Sequence, residues 1–303
     1  MSKLDDQSLV LVTTLKCNLN CSHCQVRKTN RSMNLETASR AASLFLEGKN
    51  NRSVRPLIRF FGGEPLLNFG LVKGLVARLG KKAKKADFNL TTNGLLLDKK
   101  IADYLKKFPN FEIIISSSYS KIFDDDEFIK NISRLPLMTV NINLLPDNMR
   151  QSKDLFSELR KKGFRRFNFL PAYYTDWSEK SISSLRDNFK VIEKEIKSHP
   201  DGIQVKNIKS FSPVPLFNMS PVIDPEGDVY FGNFFLDKRF SGWRKELKLG
   251  NIQNTNDWKS IVQFPLEFDF DFLFKRTFSR QILDSTRKVD RALSDFVDKI
   301  SSL

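Results

Sequence analysis

A chain of 303 residues, 40% hydrophobic and 28% charged, has room for one large domain or two modest ones and reads as soluble and globular. No apolar run approaches the ~18 residues a membrane helix needs, and the start MSKLDDQSLVLV lacks the pattern of a signal peptide. A formal charge of +15 favours anionic partners such as RNA, an acidic peptide, a phosphorylated metabolite or a lipid headgroup.

A lysine-rich solvated surface is the plain alternative. Lys81–Lys85 and Arg160–Arg166 both fall where helices should end, and cations there complement the helix dipole without a ligand. With 27 Phe against three Trp and five Tyr, the core is expected to be filled largely by phenylalanine.

In chain order, Ser8 to Leu15 is rich in Leu, Val and Thr, as a buried parallel strand would be. The loop after it, TTLKCNLNCSHC from Thr13, holds all three cysteines: Cys17, Cys21 and Cys24. Three thiolates within eight residues can hold one face of an iron–sulfur cube, and with no fourth cysteine one iron would stay open. Structural zinc usually takes four protein ligands, and His23 beside Cys24 is badly placed to complete a tetrahedron. Disulfide pairing would need an oxidising compartment and usually an even count.

Asn34 or Ser32 caps an expected helix over Leu35 to Glu47. Pro56 to Phe61 reads as the second strand and ends in Gly62-Gly63-Glu64-Pro65. Phe69 to Leu79 is a helix, and Asp87 to Thr92 a strand closing in Asn93-Gly94. Asp98 caps a helix running to Lys107. Phe111 to Ser117, a helix over Asp124 to Ser133, Leu137 to Leu145, a helix over Asn148 to Lys162, and Phe164 to Leu170 complete six strand–helix alternations. That alternation predicts an α/β fold, a partial (β/α)6 TIM-type barrel with helices outside. Chemistry in such barrels sits at the C-terminal strand ends, where all the polar motifs here fall.

The two glycines of Gly62-Gly63 let backbone approach a ligand closely, and the turn's carbonyls and the Glu64 carboxylate can accept bonds from an ammonium. Asn93-Gly94 is also a plain turn that tolerates positive φ. Ser116, Ser117 and Ser118 offer hydroxyls after the fourth strand. Asn141 and Asn143 lie two apart on one strand face and need partners if they point inward. Leu170-Pro171 ends the sixth strand. Tyr119, Tyr173 and Tyr174 fall near the expected barrel mouth, as hydrogen donors, substrate contacts or simply packing residues. His199, before a proline, reads as surface.

A long charged helix over Asp176 to Ser198 is expected to close the barrel near Val205. The expected domains are therefore 1–205 and a smaller α+β extension over 206–303. Pro221 to Phe231 reads as a hairpin around Asp-Pro-Glu-Gly-Asp. Leu249 to Ile252 comes next, then a short helix opened by Trp258 and a final amphipathic helix over Ser279 to Ile300.

The spacing C-x3-C-x2-C succeeded by G-G-E-P resembles the radical S-adenosylmethionine (radical SAM) enzymes, with His23 in the slot for an aromatic or similarly flat residue before the last cysteine. The resemblance implies one [4Fe-4S] cluster on Cys17, Cys21 and Cys24. It also implies S-adenosylmethionine chelating the open iron and being cleaved to a 5′-deoxyadenosyl radical. Gly62, Gly63, Glu64 and Pro65 would contact its amino group. Asn93, Ser116, Ser118 and Asn143 would reach the rest of the cofactor, with Leu170-Pro171 lining the adenine.

Thr91-Thr92-Asn93-Gly94 resembles a T-N-G seen in the peptide-modifying members, whereas Ser116 to Tyr119 departs from their usual S-x-D-G. The C-terminal region resembles a SPASM or twitch extension whose first cysteine position is Gly232, so no second cluster is expected. The resemblance implies an enzyme modifying a peptide or protein side chain, with RNA or a phosphorylated small molecule as the alternative substrate. A flavodoxin- or ferredoxin-like electron donor and a reducing, cytoplasmic setting are implied. A non-catalytic iron–sulfur or zinc module is the reading from another class.

Overall fold

The computed structural model describes residues 7–22, 24, 26–48, 54–132, 135–198, 202–207, 220–262 and 268–301. Strand and helix alternate as β1 (Ser8–Thr14), α1 (Leu35–Glu47), β2 (Leu57–Gly62), α2 (Phe69–Leu79), β3 (Asp87–Thr92), α3 (Lys99–Leu105), β4 (Phe111–Ser116), α4 (Asp126–Ile132), β5 (Leu137–Leu144), α5 (Met149–Lys161), β6 (Arg166–Pro171) and α6 (Glu179–Ser198). Beyond them come β7 (Gln204–Val205), β8 (Pro221–Ile223), β9 (Asp228–Phe231), α7 (Arg244–Leu247), β10 (Lys248–Asn251), α8 (Trp258–Ile261), α9 (Phe270–Thr277) and α10 (Arg280–Ser301).

Side-chain chemistry explains the boundaries. Of the two caps the sequence offered, Asn34 is the one used: its side chain accepts from Thr37 N at 2.8 Å. Asp98 does the same for Ile101 N at 2.8 Å, although α3 ends at Leu105, short of Lys107. Asp125 accepts from Glu127 N and Phe128 N, so α4 begins at Asp126 after a 3-10 segment, Ser117–Asp124. α6 starts at Glu179, later than Asp176. Helix α9 was not legible as an element; Asp269 caps it by accepting from Phe272 N at 2.9 Å.

Contacts divide the chain into two compact units, and the division is not the sequential one at residue 205. The first unit takes Met1–Ile114, Lys130–Leu137 and Phe217–Phe268; the second takes Ile115–Ile129, Met138–Leu216 and Asp269–Leu303. The reason is where the tail goes. Strand β8 joins β1 in parallel, Val10 opposite Val222 and Leu11 opposite Ile223. Helix α10 packs on α6 and β6, with Phe296 stacked on Phe189 at 4.5 Å and edge-on to Phe169 at 5.5 Å.

In the first unit the strand order is β10-β9-β8-β1-β2-β3-β4. β1 pairs in parallel with β2, and β2 with β3, while β8, β9 and β10 form an antiparallel meander at one edge. All seven residues of β1 are buried, as a strand covered on both faces requires. Phe60, Phe88 and Phe111, one from each of β2, β3 and β4, stack with centroids 6.1, 5.9 and 5.7 Å apart. In the second unit β5 pairs in parallel with β6 and β6 with β7. There Phe156 of α5 meets Phe167 at 4.9 Å and Phe169 at 5.7 Å. Each such buried ring contributes about 1.5–3 kcal/mol.

Candidate active site

Three strand ends of the first unit are tied together around the cysteine loop. The end of β2 is zipped to the start of the loop: Gly63 N donates to Thr14 O at 2.8 Å and Glu64 N to Lys16 O at 2.7 Å. Only glycine permits that approach. A Cβ on Gly62 would stand 2.1 Å from Thr14 O, and one on Gly63 2.1 Å from Lys16 O. Gly62 also holds φ at +143°.

Glu64 caps the 3-10 turn Pro65–Asn68 and is 1% exposed. Its carboxylate accepts from Leu66 N at 2.9 Å, from the Thr92 hydroxyl at 2.8 Å and from Asn93 N at 2.8 Å. Burial pushes its carboxyl above the usual range, against these three hydrogen bonds, which pull it down. The carboxylate thus ties the end of β2 to the end of β3, and half-buried Gly63 is the more open point of the turn.

From the end of β3, Asn93 Nδ2 donates to Asn18 Oδ1 at 2.8 Å, reaching the residue after Cys17. Asn93 Oδ1 accepts from Leu95 N at 3.0 Å, and Gly94 has φ +85°. The T-N-G segment is thus a turn and a tether at once. Asn68 adds a staple, its Nδ2 donating to Thr13 O at 2.9 Å and Met33 O at 3.1 Å across the two ends of the loop. Neither Asn18 nor Asn68 was picked out by sequence. Each is an asparagine amide near a turn or loop, a signal too common to single them out.

The loop returns alongside Leu15, with Leu15 N donating to Arg31 O at 2.9 Å and Thr29 N to Leu15 O at 3.2 Å. It is also gripped by the tail: Arg27 N donates to Leu236 O at 3.0 Å, and Val26 bridges Asp237. Cys17, Cys21 and Cys24 are half-buried free thiols. Leu19 N donates to Cys17 Sγ at 3.4 Å, and Cys24 N to Cys21 O at 3.1 Å. Burial pushes the Cys21 thiol up, Cys24 and Cys17 add to that, and the Lys28 ammonium opposes it. Lys28 is itself held by Leu19 O at 2.6 Å. His23 lies outside the described residues, as does His199.

The second unit gathers another set. Asn143 N donates to Ser117 Oγ at 2.9 Å and Asn143 Nδ2 to Ser116 Oγ at 3.1 Å. Asn141 Oδ1 accepts from Asn168 Nδ2 at 3.1 Å, so that pair is internally satisfied. Ser118 and Tyr119 fall in the 3-10 segment, and their side chains lie outside those described. Leu170 is exposed and Pro171 buried. Tyr173 donates its hydroxyl to Asp290 Oδ1 of α10 at 2.6 Å. Tyr174, the one described non-glycine residue with positive φ, is 2% exposed and stacks between Phe274 at 4.8 Å and Phe278 at 4.6 Å. Such burial favours packing for Tyr174 over hydrogen donation.

The sequence profile of the Radical SAM superfamily matches residues 11–176, from within β1 to beyond the sixth strand. The chain belongs to the radical SAM superfamily. Radical SAM relatives include the cyclopropyl synthase TigE of Paramaledivibacter caminithermalis, 30% identical over 174 residues, covering 50% of this chain and 36% of that protein. GTP 3′,8-cyclase 2 of Pseudomonas aeruginosa is 35% identical over 100 residues, 31% of this chain and 28% of that one. The chain thus spans about a third of the length of the curated relatives it matches.

Among solved structures, anSMEcpe with bound AdoMet superposes with a TM-score of 0.71 at 16% identity, covering 97% of this chain and 96% of that one. Streptococcus suis SuiB bound to S-adenosylmethionine gives 0.61 at 15% identity over 86% and 66%. The fold is therefore the α/β, partial TIM-type barrel of radical SAM enzymes. Among the described residues, no three His, Cys, Asp or Glu side chains already converge as a metal-binding group. The donor set nonetheless suits an iron–sulfur cluster: three thiols on one short loop, an N–H aimed at one sulfur and an ammonium beside another. No helix among the described residues is long and apolar enough to cross a membrane.

Proposed function

We propose that the chain is a radical SAM enzyme whose Cys17, Cys21 and Cys24 hold one [4Fe-4S] cluster and whose substrate is a peptide or protein side chain. The observation that carries this reading is the triple tie around the cysteine loop: Gly63 and Glu64 to Thr14 and Lys16, Glu64 to Thr92 and Asn93, and Asn93 to Asn18. When bound, the cluster supplies the electron that divides S-adenosylmethionine into methionine and a 5′-deoxyadenosyl radical.

The chain's own residues position and insulate. Gly62 and Gly63 bring backbone where a methionine ammonium needs acceptors, and Pro65 fixes the turn. Glu64 and Asn93 hold that turn against the cysteine loop rather than touching the cofactor. His23 immediately precedes Cys24 in the sequence. Ser116, Ser118 and Asn143 are the polar groups that would meet ribose or carboxylate. Tyr119 and Tyr173 are the tyrosines left for substrate contact, although Tyr173 would first have to release Asp290.

A peptide substrate is supported by likeness to anSMEcpe over nearly the whole chain and by SuiB, both also solved with peptides bound. A phosphorylated small molecule is the second reading, favoured by the stretch shared with GTP 3′,8-cyclases. A flavodoxin- or ferredoxin-like protein would deliver the electron. The deciding experiment is anaerobic turnover in deuterated water with candidate peptides and with GTP, read by mass spectrometry. A mass change or deuterium uptake on a peptide supports the reading; change confined to the nucleotide overturns its substrate half.

A further inference from the structure

The residues just after the cysteines build a second feature that the proposed chemistry does not use. The chain from Arg27 to Arg31 folds back beside Leu15, with Leu15 N donating to Arg31 O and Thr29 N to Leu15 O. Arg27, Thr29 and Arg31 line one cavity of about 300 Å³ together with Leu15, Phe235, Leu236 and Arg244, and among the described residues no carboxylate lines it.

Its three guanidinium groups differ in how they are held. Arg31 pairs with Glu226 at 3.0 Å. Arg244 is pre-organised: it donates to the Tyr230 hydroxyl at 2.9 Å, lies 3.4 Å from Asp224, and its guanidinium carbon sits 5.2 and 5.3 Å from the rings of Tyr230 and Phe235. Those two rings stack on each other at 4.0 Å. Arg27 is exposed, and among the described residues only its backbone N–H is engaged, by Leu236 O. Two of the three guanidinium groups are met by carboxylates, Glu226 and Asp224. Among the described residues the third, on Arg27, has no carboxylate partner and lines a half-apolar cavity.

We propose that this cavity binds a single oxyanion, carboxylate or phosphate, borne on a small or side-chain-sized apolar group of the substrate. Guanidinium forks match the paired oxygens of either anion, Leu15 and Phe235 take the uncharged part, and 300 Å³ is the lower end of the range for ligand pockets. Arg27, Thr29 and Arg31 lie three to seven residues beyond Cys24, so an anion seated there would be anchored to the segment that follows the cysteines. This deepens the substrate half of the proposed function. Binding is measured without S-adenosylmethionine or reductant, so its failure is separate from any failure of the radical chemistry.

The test is a titration of the full chain at low ionic strength with sodium phosphate, N-acetylglutamate amide and N-acetylglutamine amide. Saturable binding of at least one anion is expected, weakened about tenfold by Arg27→Ala and unchanged by Arg150→Ala, a substitution at an exposed arginine of α5. Thermal melts of both variants should match the parent. Tighter binding of the capped glutamate assigns the site to an acidic peptide side chain, and tighter phosphate to a phosphorylated ligand. Saturation by neither anion, equal affinity in Arg27→Ala, or capped glutamine binding as well as capped glutamate would overturn the proposal.

Discussion

Glu64 shows how little a residue's type says about its role until its surroundings are known. Its place in G-G-E-P was plain in the sequence. That three donors from two turns close on its carboxylate was not, because Leu66 lies two residues on but Thr92 and Asn93 reach it only through the pairing of β2 with β3. Glu64→Ala should therefore destabilise the fold by about 3 kcal/mol, since it strands buried donors. Chemical denaturation of the apo chain checks this, and an unchanged midpoint would show that the three hydrogen bonds of Glu64 do not support the fold.

Asn18 and Asn93 make a cleaner pair. A double-mutant cycle with alanine at both should show coupling of about 0.5–1.5 kcal/mol, and strict additivity would deny their bond. Asp224 offers a pH handle. Burial, with Asp228 and Glu226 nearby, raises its carboxyl from 3.8 to about 6, against hydrogen bonds from the N–H groups of Asp228 and Glu226. A raised carboxyl favours the protonated folded state, so its stabilising effect is complete below pH ~4 and is lost as pH rises through about 6. Melting temperatures measured between these values should converge with those of Asp224→Asn at the alkaline end less well than at the acid end, and parallel curves would contradict the assignment.

Elements were the most legible level. Strands and helices through α6 follow the alternation in the sequence, since continuous apolar runs such as Leu9–Val12 and capped helices such as α1 and α3 are governed by local chemistry. Helix α9 escaped because its three phenylalanines and leucine mimic an apolar strand run, and only the Asp269 cap marks its start. The 3-10 segment before α4 escaped for a related reason: Asp124, Asp125 and Asp126 all look like caps, and the hydrogen bonds select Asp125. At this scale the glycines at and just after the end of β2, Gly62 and Gly63, matter most. Gly63→Ala must push against Lys16 backbone 2.1 Å away, which would displace the cysteine loop. The expected outcome is a folded chain by circular dichroism that incorporates much less iron than the parent; full iron content would show that the zip is dispensable.

For the whole molecule, the sequence suggested a barrel with an appendage after it. The tail divides between the two units: β8 to β10 extend the sheet of the first, and α9 and α10 belong to the second. Nothing local to Pro221–Ile223 announces a partner more than 200 residues earlier, so pairing across that distance had to be seen. The consequence reaches the cysteine loop. Leu236 and Asp237 grip the cysteine loop at Arg27 and Val26, which gives a tail without cysteines a reason to be there.

The proposed chemistry stands or falls on the three thiols. Anaerobic reconstitution of the full chain with iron and sulfide, then reduction in the presence of S-adenosylmethionine, should give about four irons per chain and release 5′-deoxyadenosine, with both lost in Cys17→Ala, Cys21→Ala and Cys24→Ala. A metal centre that forms yet releases no 5′-deoxyadenosine, or release that persists after any one of these cysteines is removed, would contradict it.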